Sequence, residues 1–126
     1  MIAALLGLLA AAQEPPLDCS DPQTQNDMNQ CAARDFDAAD RALNELWPQV
    51  VAYVRAQDEG ANDGRASGES RLLAAQRAWI VFRDAHCTVD SYAMRGGSAE
   101  RLLYNGCRAR ITEARTAQLR ALILDQ

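Results

Sequence analysis

His86 and Cys87 stand side by side, the one place where an imidazole and a thiol come near each other in this sequence. That pairing is the raw material of a cysteine nucleophile. The surrounding pattern is helical, however, and adjacent helical residues point about 100° apart, so the two do not face each other. His86 is also the sole histidine. This removes any two-histidine metal site, and no Cys-x-x-Cys pair offers a zinc or haem attachment motif. No glycine-rich loop follows a strand to cradle phosphate. The residues imply no catalytic centre, no metal and no cofactor, and the chain reads as a non-enzyme.

A second constellation is charged. Leu72, Leu73, Gln76, Trp79, Ile80, Arg83, Cys87 and Met94 fall on one face of a single helix, with polar residues in the middle of the apolar stripe. A buried guanidinium without a partner is prohibitive, so this helix must meet specific polar groups. Asp40 and Arg115 occupy the same central place in the stripes of the other two helices. The expectation is an interior network in which Asp40 bridges one or both arginines, with Asn44, Gln76 and Thr112 supplying hydrogen bonds. An acid–base site is the alternative. Arginine stays protonated and cannot be the base, and a carboxylate held between guanidiniums makes a poor general acid. The network therefore reads as structural, and Trp47 and Trp79 as core anchors.

The elements that carry these residues are three helices. Thr24-Gln25-Asn26-Asp27 resembles a capping box and opens the first, whose stripe is Phe36, Asp40, Leu43, Trp47, Val50 and Val54, running to about Gln57. Pro48 should kink that helix or split it. Asp58 to Ser70 is rich in Gly, Asn, Asp and Ser and reads as a flexible connection. A second helix starts at about Gly68 or Ser70 and runs to Met94. Gly96-Gly97 makes a turn, Ser98 caps the third helix, and Tyr104, Cys107, Ile111, Ala114, Arg115 and Leu122 form its stripe to about Leu124. No strand period or repeat is present. The fold class is all-α: a small antiparallel three-helix bundle, kinked at Pro48 and braced by two disulfides.

Residues 1–12 read as a secretory signal, an apolar run ending in small residues at Ala10 and Ala12, too short to span a bilayer. That leaves 13–126 as one domain in a periplasmic or secreted setting. Four cysteines agree with an oxidising compartment and allow three connectivities. Cys87 and Cys107 lie at similar distances on either side of the Gly96-Gly97 turn and come level in an antiparallel hairpin. Cys31 sits off its apolar stripe, where a leading segment carrying Cys19 folds back. The pairing is therefore Cys19–Cys31 and Cys87–Cys107. Leu17-Asp18-Cys19 is no lipobox, so no membrane anchor is expected after signal removal.

Charge is uneven. From Gln13 to Gly64 there are 11 acids against 3 arginines, and from Arg65 to Gln126 there are 6 acids against 10 arginines, with no lysine anywhere. The acidic half suits a basic partner, and a net charge of −4 argues against nucleic acid.

The ordered set Cys19, Met28-Asn29-Gln30-Cys31-Ala32, Ala39-Asp40, Leu43-Asn44, Gln76-Arg77-Ala78-Trp79, Phe82-Arg83-Asp84, Cys87, Cys107, Thr112 and Arg115 resembles the LprI-like family across roughly Asp18 to Leu122. The resemblance implies an exported, cysteine-containing helical domain whose named member inhibits lysozyme by binding it. Two functional readings follow. One is a binding protein that blocks a basic c-type lysozyme, with Asp58, Glu59 and Asp63 of the flexible connection as the contact. The other is an envelope or stress protein that binds another exported partner or peptidoglycan.

Overall fold

A computed structural model describes residues 15–124 of the chain; the expected signal segment lies outside the described residues. Three helices account for the fold: α1 (Gln25–Asp58), α2 (Gly68–Ser91) and α3 (Glu100–Leu124), with a short 3-10 turn at Tyr92–Met94. Helices α1 and α3 run parallel and α2 runs antiparallel to both. The α1–α3 contact is the most extensive of the three.

Each helix starts where the local chemistry allows. The Thr24 hydroxyl accepts the Asp27 backbone N–H at 3.0 Å, satisfying one of the unpaired donors of the first turn of α1. Ser67 does the same for Ser70 at 3.1 Å. Ser98 does not cap α3. That helix begins at Glu100, which places Ala99 in the capping position, and the Leu103 N–H donates to the Ala99 carbonyl at 3.1 Å. Ser98 instead presents its carbonyl to the Asn29 side-chain amide at 2.9 Å, which ties the start of α1 to the start of α3. Glu100 reaches back to accept the Gly96 N–H at 2.8 Å and so closes the turn.

Pro48 does not split α1, which is continuous from Gln25 to Asp58. Proline leaves the Asn44 carbonyl without its helical donor, but Asn44 and Pro48 are both exposed. Water can satisfy that carbonyl, so the missing bond falls where it does least damage.

The core is small and sits toward the loop end of the bundle. Leu43, Leu46 and Val50 of α1 meet Leu72 of α2 and Leu119 of α3, with Trp47, Val54, Trp79 and Ile123 packed around them. Burying each of these aliphatic side chains contributes about 1.5–3 kcal/mol. At the other end the helices are joined by sulfur. Cys87–Cys107 links α2 to α3 inside the bundle, and Cys19–Cys31 ties the lead-in to α1, as the helix register implied.

Candidate binding surface

The polar groups expected to form one network at the centre of the bundle fall into separate sets, Arg83 with Thr112 and Asp84, Arg115 with Gln76, and Asp40 with Asn44. Arg83 is buried, and its Nε donates to Asp84 Oδ1 at 2.9 Å while Nη1 makes a long contact of 3.4 Å with Thr112 Oγ1. Arg115 Nε donates to Gln76 Oε1 at 3.0 Å. Burial alone pushes the Arg115 guanidinium below the usual arginine range. Asp40 joins neither arginine: among the described residues its side chain accepts only from Asn44, one turn on, at 3.3 Å. Arg83 finds its acid in Asp84, whereas Arg115 donates to Gln76 and Gln118 among the described side chains. Asp40 is half-buried at the edge of the α1 stripe, whereas Asp84 needs only the fold-back of its neighbour's long side chain.

Sequence reasoning also missed Arg108. Its Nε lies 3.5 Å from the same Asp84 oxygen, within ion-pair range but without hydrogen-bond geometry. Its guanidinium stacks 3.6 Å from the Phe36 ring centroid, with Tyr104 at 4.8 Å. Arg83 approaches Phe36 at 5.1 Å and Trp79 at 5.0 Å. Aromatic faces thus take part of the charge that one carboxylate cannot neutralise. The signal was present, since Arg108 lies four residues after Tyr104 and seven before Arg115, on the α3 stripe. The carboxylate of this cluster, Asp84, is engaged by Arg83 and faced by Arg108. The cluster is a clamp holding three helices in register.

The chemistry at the His86–Cys87 pair is closed off. Cys87 is fully buried in its disulfide and the chain has no free cysteine. His86 stacks on Phe82 at 5.4 Å on the outer face of α2. Among the described residues, no group of acidic, histidine or cysteine side chains could hold a metal.

What remains is surface. The connection between α1 and α2 is exposed from Glu59 to Ser67, yet both its ends are anchored. Asp58, the last residue of α1, accepts the N–H of Gly68 at 2.7 Å through one carboxylate oxygen and that of Glu69 at 3.1 Å through the other. It thereby fills the anion site at the N-terminus of α2. Gly68 permits that approach: a Cβ there would come within 2.8 Å of Val54 Cγ1. Beside it, Arg55 and Glu69 form a two-pronged ion pair with contacts of 2.8 and 2.7 Å. Asp63 accepts the Arg65 N–H at 3.0 Å inside the loop. Of the three acids expected to meet a partner, Asp58 is committed to the helix end, Asp63 shapes the loop, and Glu59 is exposed and engages none of the described side chains.

A second acidic surface lies at the opposite end of α1. An open cleft of about 940 Å³ is lined by Pro15, Leu17, Asp18, Asp21, Thr24 and Asp27, among others. Asp18 accepts from the Ser20 hydroxyl and N–H, which holds its carboxyl below the usual range. From Asp27 to Asp58 is about 46 Å along the helix axis at 1.5 Å per residue. The acidic half therefore presents two separate ends.

The pattern that defines the family described as "Lysozyme inhibitor LprI" matches residues 18–119. An uncharacterized protein of Rhizobium meliloti (strain 1021) is 43% identical over 117 residues, covering 90% of this chain and 84% of that one. The crystal structure of a DUF1311 family protein from Pseudomonas putida KT2440 superposes with a TM-score of 0.69 at 29% identity, covering 84% of this chain and all of that one. No helix among the described residues is long and apolar enough to cross a membrane.

Proposed function

Because the chain belongs to the LprI lysozyme-inhibitor family, we propose that it is an exported, non-enzymatic protein that inhibits a basic muramidase, such as a c-type lysozyme, by non-covalent binding. The observation that carries this reading is the loop at 59–67. It is exposed along its length, it is acidic at its base, and it is held at both ends by Asp58 and by the Arg55–Glu69 pair. A loop ordered before binding loses little entropy on contact. Attraction between an acidic surface and a basic enzyme speeds encounter, and salt weakens it.

The test is clearing of a peptidoglycan suspension by c-type lysozyme, with and without the purified oxidised protein. Inhibition by the parent is the expected result. Glu59→Gln combined with Asp63→Asn should slow association while leaving the melting temperature unchanged, because asparagine still accepts the Arg65 N–H. Asp58 is left in place, since its carboxylate holds α2. Undiminished inhibition by that variant would move the contact away from the loop, and the acidic cleft around Asp21 and Asp27 is then the next place to substitute. A parent without inhibition would return the protein to the reading in which it binds another exported partner or peptidoglycan.

A further inference from the structure

The outward face of α2, continued into the first residue of the 3-10 turn that follows it, carries a second apolar stripe opposite the one that meets the core. Ala74, Ala78, Val81, Ala85, Thr88 and Tyr92 recur at alternating steps of four and three residues, the spacing of a coiled-coil seam. Thr88 is half-buried and the other five are exposed. Val81 is 70% exposed and Tyr92 44%, and the seam is flanked by Phe82 at 57% and Val89 at 70%. Both other helices contact the opposite side of α2, so nothing in the bundle covers this face.

We propose that this face is the interface between two copies of the chain, packed as an antiparallel α2–α2 pair about a two-fold axis level with Arg83. A two-fold interface must be complementary to itself, and this seam is. With the axis at that level, Tyr92 of one copy meets Ala74 of the other, Thr88 meets Ala78, and Val81 meets Ala85. Every layer sets an alanine against a larger side chain, which lets the helix axes approach without leaving voids. Phe82 of the two copies falls beside the axis, on one flank.

The area agrees. The exposed valines, aromatics and alanines amount to roughly 500 Å² of apolar surface, at the top of the range for a monomer's largest patch. Two such patches with their flanking side chains reach the ~1,200 Å² at which specific interfaces begin. Charge argues for a second copy over a basic enzyme. The seam positions themselves carry no charge, while Arg77 and Asp84 border the flank opposite Phe82, Arg71 lies just beyond one end, and the Arg95 guanidinium sits 4.4 Å from the Tyr92 ring centroid at the other. The proposal thus uses a different surface from the acidic loop and does not depend on lysozyme binding.

Sedimentation of the oxidised full chain at about 100 μM, which populates any dimer of micromolar affinity, should give twice the monomer mass. Val81→Glu and Ala85→Arg should each give monomers with unchanged far-UV circular dichroism, since both side chains face solvent in the single copy. Mixing the two variants should restore a mixed dimer, because one layer becomes Glu–Arg and the symmetry-related layer keeps Val–Ala. A monomeric parent, or variants that remain dimeric, would overturn the proposal. So would a mixture that stays monomeric, since the register would then be wrong. A monomeric parent whose binding to a different protein is lost in these variants would assign the face to that protein instead.

Discussion

Arg83 and Asp84 are neighbours in one helix, and they form the ion pair on which the centre of the bundle turns, with Nε and Oδ1 2.9 Å apart. Consecutive helical residues diverge by about 100°. The contact exists because the guanidinium is carried on a long stem that bends back past its own backbone. Arg83 is left 6% exposed while Asp84 keeps its outer edge in water.

That geometry separates two carboxylates that look alike in sequence. Asp84→Ala removes the only acid, among the described residues, that faces the buried Arg83 and the adjacent Arg108, and should cost about 2 kcal/mol, below the full penalty for breaking a buried pair because Asp84 is half-exposed. Asp40→Ala removes only a local contact to Asn44 and should stay within about 0.5 kcal/mol. Urea unfolding of the two variants checks the order. Equal losses would mean that Asp40 contributes to the interior after all.

Asp58 should behave as a helix cap reached from outside the helix. Asp58→Ala leaves the Gly68 and Glu69 N–H groups without a protein partner and should cost about 1–2 kcal/mol. Hydrogen exchange should quicken at the first turn of α2 before it does elsewhere. Gly68→Ala should destabilise through a different cause, the 2.8 Å approach to Val54 Cγ1.

The Arg55–Glu69 pair gives a pH dependence of known sign. The hydrogen bonds from Arg55 hold the Glu69 carboxyl below its ordinary value of 4.5. The folded state therefore binds the Glu69 proton less readily than the unfolded chain does. The pair's stabilisation is complete above pH 4.5 and fades as the pH falls through the lower folded value. Glu69→Gln should melt below the parent at neutral pH, and the two melting temperatures should converge in acid. Added salt should narrow the neutral-pH gap, because the pair is exposed.

The two disulfides should respond differently to a reductant. Cys19 is exposed, whereas Cys87 and Cys107 are 0% and 3% exposed. Under mild dithiothreitol, alkylation followed by mass spectrometry should find Cys19 and Cys31 labelled first, with the helical signal retained. Labelling of Cys87 and Cys107 should coincide with unfolding, because thiolate attack needs access to sulfur.

The helices, their approximate limits and both disulfides were readable because period, caps and cysteine register all spoke for the same arrangement. The errors have physical causes. A proline inside a helical pattern allows a kink or a break, and α1 continues without a break because Pro48 lies off the apolar stripe and faces water. Ser98 is a good cap by residue type, but its carbonyl was already engaged by Asn29, sixty-nine positions away. Ala39 and Leu46, both buried, lay outside the expected α1 stripe because the face is turned toward α3, the larger partner. The loop acids were found, but their division of labour depended on Asp58 reaching Gly68, a contact that spacing alone does not reveal.

Each disulfide closes within its own part of the chain, one between the lead-in and α1 and the other between α2 and α3. No covalent bond other than the exposed loop backbone joins α1 to the rest. A single proteolytic nick anywhere between Glu59 and Ser67 would convert the domain into two separate polypeptides, each with its own disulfide intact. Its integrity would then become a bimolecular equilibrium, set by the Leu43–Leu119 core and by dilution.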